Sequence, residues 1–217
     1  PAYCGVTTLL ICLNSMSVDP NVRWRGGWRY YGEEDTILQR CCIPKERIQR
    51  AGITIMEFAR LAKCQGLQVT TKQPIDRNTV NEFRQDVKEI LSKEDGLIVA
   101  SFSRSALGQT GEGHFSPIAA YHEETDSVLV LDVARFKYSP YWVSISELHD
   151  AMKPLDETSQ QSRGWFILYP PANVANQSRS EARRPAHLVP ETKESDICPI
   201  GKVKVHYCEA SKPKSQM

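Results

Sequence analysis

The chain carries three widely separated residues whose types suit nucleophilic chemistry: Cys4, His114 and Asp132. A thiol becomes a strong nucleophile as the thiolate, and a nearby imidazole can take its proton. A carboxylate on the far ring nitrogen then fixes the tautomer of the imidazole and stabilises its charged form. Together the three residues predict a cysteine nucleophile, its base and the group that orients the base.

The segment around His114 and Asp132 has the pattern of a β-hairpin. Apolar segments at 115–121 and 128–134 flank a polar stretch at 122–127. With a turn centred near Glu123 or Glu124, the residue numbers of cross-strand partners sum to about 246 to 248. The numbers of His114 and Asp132 meet this condition, so we expect the hairpin to place the two side chains side by side.

Cys4 is followed at once by apolar residues at helical spacing, which predicts a helix that begins at the cysteine. The apolar face is formed by Val6, Leu9, Leu10 and Leu13. A helix N-terminus favours thiolate over thiol and can hold a developing oxyanion. Each member of the trio also has a structural interpretation, because cysteine and histidine often lie buried in a core and a strand-end aspartate often closes a turn.

The rest of the sequence predicts the elements that position these residues. Helices are indicated after capping boxes that start at Thr54, Thr79 and Ser144, and strands at 97–103, 115–121, 128–134 and 165–169. Helices first and strands afterwards favour an α+β fold, with helices packed beside an antiparallel sheet. Cys4 would lie on the helical side, His114 and Asp132 on the sheet side, and the cleft between them.

Composition excludes several classes of protein. The 217 residues are 41% hydrophobic with a net charge of +1, which offers no general footprint for nucleic acid. The basic and aromatic stretch 23–31 could form a stacking surface for single strands, but we expect a loop beside the first helix. No apolar run reaches the roughly 20 residues that cross a bilayer, so we expect neither a membrane span nor a signal peptide. Seven irregularly spaced cysteines favour a reducing compartment, so we expect a cytoplasmic protein.

Four motifs carry a resemblance to a known family: Pro1-Ala2-Tyr3-Cys4-Gly5, the pair Cys41-Cys42, residues 109–118 and residues 131–138. In this order they resemble the catalytic domain of phytochelatin synthases, which belong to the papain-like superfamily of thiol enzymes. The likeness predicts a catalytic domain at 1–170 and a polar, flexible tail at 171–217. The family's oxyanion-hole glutamine lies a few residues before the nucleophile, so we expect a domain truncated at its N-terminus.

The resemblance implies a γ-glutamylcysteine dipeptidyl transferase that acts in heavy-metal detoxification. Cys4 would attack glutathione, release glycine and form an acyl-enzyme, and a second glutathione or a growing phytochelatin would accept the unit. No organic cofactor is implied. Activation by Cd, Zn or Cu is expected through metal–glutathione thiolates, because soft thiolates prefer such ions. The expected partners are glutathione, phytochelatins and their metal complexes, and a homodimer is left open.

The resemblance also suggests binding residues. Arg104 and Arg135 match arginines in the motif regions and are predicted to bind the carboxylates of glutathione, because a guanidinium can bind a carboxylate through two hydrogen bonds. Lys137 and Tyr138 are secondary candidates of the same kind. The alternative for each arginine is an exposed position at a strand end with no ligand.

The remaining cysteines are candidate ligands for soft metals. Cys41, Cys42 and Cys64 could bind a metal ion or metal-loaded glutathione, with buried packing as the alternative. In the tail, Cys198, His206 and Cys208 could do the same, although their spacing matches no established zinc pattern. A solvated tail is the alternative there.

Two other functions fit the same residues: a thiol peptidase or amidase that hydrolyses glutathione or its conjugates, and a non-catalytic protein that binds metals or thiols. A hydrolase would yield γ-glutamylcysteine and glycine without longer peptides. A binding protein would hold metal whether or not Cys4 is present. The products formed from glutathione therefore separate the three functions.

Overall fold

As far as the structure describes the chain, the fold begins with four helices and continues with a sheet whose strands are interrupted by two further helices. The computed structural model describes residues 2–41, 43–75, 79–93 and 95–172. In chain order the elements are α1 (Cys4–Ser15), α2 (Asp35–Cys41), α3 (Lys45–Ala51), α4 (Ile55–Cys64), β1 (Gln68–Lys72), α5 (Thr79–Lys93), β2 (Leu97–Ser103), β3 (Gly113–His122), β4 (Ser127–Val130), β5 (Tyr141–Ser144), α6 (Ile145–Met152) and β6 (Gly164–Tyr169). The strands form one antiparallel sheet in the order β1-β6-β2-β3-β4-β5. The α+β class predicted from the sequence is confirmed.

The centre of the sheet is covered by helices on both faces. Side chains alternate between the faces of a strand, and in β2 this alternation sends Val99 towards α1 and α4 while Ile98 and Ala100 pack with α5 and α6. Strand β6 alternates in the same way. A continuous apolar run is typical of a strand covered on both faces, so the run in β2 accounts for the second helical layer.

Helices α4, α5 and α6 begin where the sequence indicates. Thr54 and Glu57 form a complete capping box at the start of α4, and Ser144 opens the same arrangement at α6. Thr79 is the first residue of α5, and its hydroxyl lies 2.8 Å from Nε2 of the buried His149. Among the described residues, no helix is both long and apolar enough to cross a membrane.

The hairpin is confirmed, but its second strand is shorter than predicted. A bulge between Ile118 and Ala120 shifts the pairing of β3 with β4. Strand β4 ends at Val130 instead of Ala134, because the Asp132 carboxylate accepts a hydrogen bond from the Ala134 N–H at 2.9 Å. This local bond is typical of an Asx-turn and takes the chain out of the ladder.

The prediction of helices first and strands afterwards was wrong in detail. Helix α5 separates β1 from β2, and α6 separates β5 from β6. The sequence analysis also missed α2, α3, β1 and β5, which have 7, 7, 5 and 4 residues. Elements this short carry too few residues for a clear periodic pattern.

The basic and aromatic stretch forms a loop that is fixed to the first helix at one end. The Asn14 side chain of α1 donates to the Tyr31 carbonyl at 3.0 Å and accepts from the Tyr31 N–H at 3.1 Å. Tyr31 is buried, whereas Trp28 is 78% exposed. The predicted loop beside the first helix is confirmed at Tyr31.

Candidate active site

Cys4 is the first residue of α1, and this end of the helix is fixed against β3. One turn further along, the Thr8 hydroxyl donates to the Phe115 carbonyl at 3.0 Å. Gly5 permits the close approach, because a β-carbon there would lie 2.5 Å from Ile53 Cδ1 and 3.3 Å from the Phe115 ring. The sequence therefore places the thiol beside the residue that follows His114.

Burial outweighs the effect of the helix terminus on the thiol. Burial raises the pKa of Cys4, while hydrogen bonding from the backbone N–H groups of Phe115 and Gly5 opposes the rise. The net direction is upward from the ordinary value. The Gly5 N–H at the helix terminus acts in the predicted direction, towards the thiolate, and the burial of the partly exposed Cys4 acts against it.

His114 is completely buried and is held through one ring nitrogen. Its Nε2 atom lies 3.1 Å from Asp132 Oδ1, 2.9 Å from Ser116 Oγ and 2.9 Å from Arg104 Nη2. The other ring nitrogen, Nδ1, has no hydrogen-bond partner among the described residues. The structure thus brings the side chains of His114 and Asp132 together, although Asp132 lies beyond the end of β4 and the pairing of Ile118 with Val130 shows that the two are not the direct cross-strand partners predicted. Their catalytic roles stay predictions.

Arg104 is buried beside this pair, with 1% of its surface exposed. Its Nη2 lies 2.8 Å from Asp132 Oδ2 and donates to Oδ1 at 2.9 Å. Nη1 donates to Gln109 Oε1 at 2.6 Å, and the guanidinium carbon lies 4.7 Å from the centre of the Tyr138 ring. The guanidinium therefore neutralises the carboxylate that orients His114.

The charges of these groups follow from their contacts. Burial lowers the pKa of His114 and the charge of Arg104 lowers it further, against the opposing effect of Asp132. Burial opposes ionisation of Asp132, but hydrogen bonds from His114, the Ala134 N–H and Arg104 outweigh it and lower the pKa of Asp132. With the raised pKa of Cys4, these directions favour a neutral thiol and a neutral imidazole beside an ionised carboxylate.

A cavity of about 720 Å³ opens at Cys4. One wall is helical and consists of Ala2, Cys4 and residues 49–55; the other includes Ser101, Ser103, Gly113, Phe115 and the segment before β6. Asp156 and Arg163 belong to that second wall. Arg163 is buried, donates to the Pro154 carbonyl at 2.8 Å and lies 3.8 Å from Asp156 as an ion pair.

The sequence analysis missed Asp156 and Arg163 as site residues. The segment that carries them has no periodic pattern and no recognisable motif, so no signal in the sequence marked them. Only the fold of the turn between α6 and β6 brings them to the cavity. Ser116 was within a quoted motif, but its contact with His114 depends on the strand geometry.

The four residues predicted to bind substrate do not line this cavity. Lys137 donates to the Thr110 carbonyl, and the Tyr138 hydroxyl accepts from the Thr110 N–H at 2.8 Å. That N–H lowers the pKa of Tyr138. Arg135 is exposed. The structure brings Arg104 to the His114–Asp132 pair and leaves Arg135 apart from it, and a role of these residues in binding substrate stays a prediction.

Cys41 and Cys64 lie near each other at the ends of α2 and α4. Cys41 is buried, and its Sγ lies 3.6 Å from Gln65 Nε2. Burial and the neighbouring Cys64 raise the pKa of Cys41 to about 12, which makes a metal-binding thiolate less available. The part of the chain that the structure describes holds no group of three or more His, Cys, Asp or Glu residues placed to bind a metal ion.

The other predicted metal ligands lie outside the described residues: Cys42, Cys198, His206 and Cys208. A metal site formed by Cys41, Cys42 and Cys64 stays a prediction for this reason. The predicted tail at 171–217 also falls outside the described residues, apart from its first two positions.

Comparison with known proteins gives two kinds of match, to a protein-family model and to individual relatives. The model of the phytochelatin synthase family matches residues 1–165. The chain is 46% identical over 168 residues to glutathione gamma-glutamylcysteinyltransferase 3 of Lotus japonicus, covering 77% of this chain and 34% of the relative. It is 44% identical over 170 residues to glutathione gamma-glutamylcysteinyltransferase of Schizosaccharomyces pombe, covering 78% and 40%. The chain thus spans between a third and two-fifths of the length of these relatives, and it belongs to the phytochelatin synthase family.

Proposed function

We propose that the cleft transfers a γ-glutamylcysteinyl unit from one glutathione to the amino group of another and so makes phytochelatins. The observation that carries this proposal is the state of His114. Its Nε2 is held by Asp132, Ser116 and Arg104, while its buried Nδ1 has no partner among the described residues. An imidazole fixed in this way is suited to exchange protons with a thiol on the neighbouring helix.

Acylation of Cys4 begins with transfer of the thiol proton to His114 Nδ1 as the sulfur attacks the carbonyl carbon of the cysteine residue in glutathione. Because the Cys4 thiol and the His114 imidazole are both neutral at rest, the proton transfer takes place during the attack and not in a separate step before it. The first N–H groups of a helix lack helical partners, so those at the start of α1, where Cys4 lies, are suited to hold the oxyanion. His114 returns the proton to the glycine nitrogen, glycine leaves, and a thioester remains on Cys4.

Deacylation reverses the proton transfers. The α-amino group of a second glutathione attacks the thioester carbonyl, His114 accepts a proton from that nitrogen, and the Cys4 sulfur leaves and is protonated again. A new peptide bond forms and the thioester breaks, so no oxidant or reductant is required. Asp132 stays ionised throughout and stabilises the imidazolium.

Asp156 and Arg163 fit the γ-glutamyl end of the donor. That end carries an ammonium and a carboxylate on the same carbon atom. The two protein side chains offer the complementary charges 3.8 Å apart at the cavity that contains Cys4. We propose that this pair binds the γ-glutamyl group, because neighbouring opposite charges on the protein match neighbouring opposite charges on the ligand.

Activation by heavy metals is proposed to act through the substrate. A soft ion bound to the glutathione thiol converts that thiol to a thiolate complex, and the described part of the chain offers no cluster of three ligands. The rate should then depend on the ratio of cadmium to glutathione. A dependence on the ratio of cadmium to protein would contradict this part of the proposal.

Product analysis tests the proposed function. The chain and its Cys4→Ala variant are incubated with glutathione, with and without cadmium, and the products are identified by mass spectrometry. We expect (γ-Glu-Cys)₂-Gly and free glycine from the unmodified chain alone. γ-Glutamylcysteine without longer peptides would favour a hydrolase, and metal binding without any Cys4-dependent product would leave a binding protein.

A further inference from the structure

Five charged side chains line the cavity beside Cys4: Arg50, Glu112, Asp156, Glu157 and Arg163. Four of them belong to the wall formed by the sheet and the segment before β6. The fifth, Arg50, lies on the helical wall. The other side chains of that wall, from residues 2, 4, 49 and 51–55, are uncharged. The distribution of charge in the cavity is therefore asymmetric.

Arg50 differs from the other cation of the cavity in its contacts. Arg163 is buried and bound to backbone carbonyls and Asp156. Arg50 is exposed, and its Nε donates to the Glu46 carbonyl at 3.3 Å, one turn earlier in α3. It forms no ion pair with any residue in the described ranges, whereas Arg47 on the same helix pairs with Glu57 at 2.8 Å. The terminal nitrogens of Arg50 are thus available to an anionic ligand.

The end of α3 holds Arg50 close to the nucleophile. Gly52, two residues after Arg50, has a φ of +66° and lies so near Ala2 that a β-carbon would be 3.2 Å from the Ala2 carbonyl oxygen. Ile53 then contacts the start of α1 at Gly5. Gly52 and Ile53 thus contact Ala2 and Gly5, the residues that lie on either side of Cys4 in the sequence. Arg50 is therefore only two residues away from a backbone segment that packs beside the nucleophile.

We infer that Arg50 binds the C-terminal carboxylate of the donor peptide, the carboxylate of the glycine that leaves. This inference rests on the proposed function. Glutathione carries two carboxylates and one ammonium, and the paired Asp156 and Arg163 match the charges of the γ-glutamyl end. The remaining carboxylate is isolated, as Arg50 is. Glu112 and Glu157 would repel an anion on the opposite wall, so charge complementarity assigns that carboxylate to Arg50.

The assignment makes Arg50 a determinant of donor specificity. Glutathione and every phytochelatin made by successive transfers end in the same glycine carboxylate, so one cation can serve all donors. A donor whose terminal carboxylate is replaced by an amide keeps the reacting carbonyl and the γ-glutamyl end. It loses the single group that Arg50 would bind.

Binding measured without turnover tests the inference. Glutathione and glutathione C-terminal amide are titrated calorimetrically, under reducing conditions, into the 217-residue chain carrying Cys4→Ala. We expect the amide to bind about tenfold more weakly than glutathione, the effect of one charge-assisted contact at an exposed site. Adding Arg50→Gln should weaken glutathione about tenfold, leave the amide unchanged and bring the two affinities together.

Arg60→Gln is the matched control, because Arg60 is an exposed arginine of the neighbouring α4 that does not line the cavity. It should keep the preference for the carboxylate, and Arg50→Lys should keep part of it. An equal weakening of both ligands by Arg50→Gln, or an unchanged preference, overturns the inference while leaving the transferase intact. Turnover of glutathione by the unmodified chain tests the transferase separately, and a chain that binds neither ligand overturns both.

Discussion

The two walls of the cleft hold their reactive groups in different ways. On the helical wall, Cys4 depends on the position of one helix end, which has apolar neighbours and is anchored to β3 by the hydrogen bond from the Thr8 hydroxyl to the Phe115 carbonyl, while the Phe115 N–H donates to the Cys4 sulfur. On the sheet side, His114 does not itself line the cavity and belongs to a buried polar network with Asp132, Arg104 and Ser116, whose contacts are 2.8 to 3.1 Å long. The nucleophile is positioned by backbone, and the base by side chains.

This difference separates catalysis from stability. When a side chain is positioned by its backbone, its substitution leaves no buried charge without a partner. When a side chain belongs to a buried charged network, its substitution leaves the opposite charge buried and uncompensated. Changes on the helical wall should therefore affect activity alone, and changes on the sheet wall should affect activity and folding together.

The largest effect on activity is expected from Cys4→Ser. Loss of the thiolate removes the covalent step, and loss of such a nucleophile costs up to about 10⁶ in kcat. The free energy of unfolding should change by less than about 1 kcal/mol, because serine keeps an acceptor for the Phe115 and Gly5 N–H groups and no buried charge loses its partner. Glycine release and urea denaturation measure the two quantities. A strongly destabilised Cys4→Ser protein would contradict the contrast between the walls.

Asp132→Asn should affect both quantities. The amide leaves the charge of Arg104 buried without a counter-ion, which costs about 3–5 kcal/mol in the free energy of unfolding. Loss of the orienting carboxylate lowers kcat by about 10⁴ in comparable triads. Denaturation and rate are measured on the same preparation. If Asp132→Asn lost activity with unchanged stability, the sheet wall would be no different from the helical wall.

Ser116→Ala is a milder change to the same network. It removes the hydroxyl that lies 2.9 Å from His114 Nε2 and accepts from the Val133 N–H at 3.4 Å. We expect a loss of about 1 kcal/mol in unfolding free energy and less than about tenfold in kcat. Thr79→Val is the control, because it removes a buried hydroxyl that lies 2.8 Å from another histidine, His149, and Thr79 does not line the cavity. Equal losses of kcat in the two variants would remove Ser116 from the network that holds His114.

The smallest expected effect is a shift in the pH profile. His114 acts as a base only when neutral, and burial together with Arg104 lowers its pKa. The acid limb of kcat/KM should therefore lie below the ordinary histidine value of about 6.5. Arg104→Gln removes a charge that disfavours the imidazolium, so the limb should move to higher pH, whereas Arg104→Lys should move it less. A limb that stays in place in Arg104→Gln would show that this charge does not tune the base.

The parts of the site that could be predicted are those set by local pattern. The hairpin brings His114 beside Asp132 because its two strands are neighbours in sequence, and the helix at Cys4 follows from the spacing of Val6, Leu9 and Leu13. Arg104 could not be predicted in the same way. An arginine at a strand end is usually exposed, and its burial depends on Asp132 and Tyr138 from a distant loop.

Other features were beyond sequence reasoning for similar reasons. The bulge between Ile118 and Ala120 shifts the hairpin by one residue without a marker such as glycine at the site. Asp156 and Arg163 reach the cavity through a turn that has no periodic pattern. The resting charge of Cys4 depends on its burial against β3, which competes with the helix terminus and is decided only by tertiary packing.

The proposed transferase reaction depends most directly on a covalent intermediate at Cys4. The chain is mixed with glutathione, quenched in acid before the acceptor can react fully, and analysed by intact-protein mass spectrometry and peptide mapping. We predict a mass increase that corresponds to one γ-glutamylcysteinyl group, located on the peptide that contains Cys4 and absent from Cys4→Ser. An active chain that forms product without this adduct, or with the adduct on another cysteine, would contradict the assignment of Cys4 as the nucleophile.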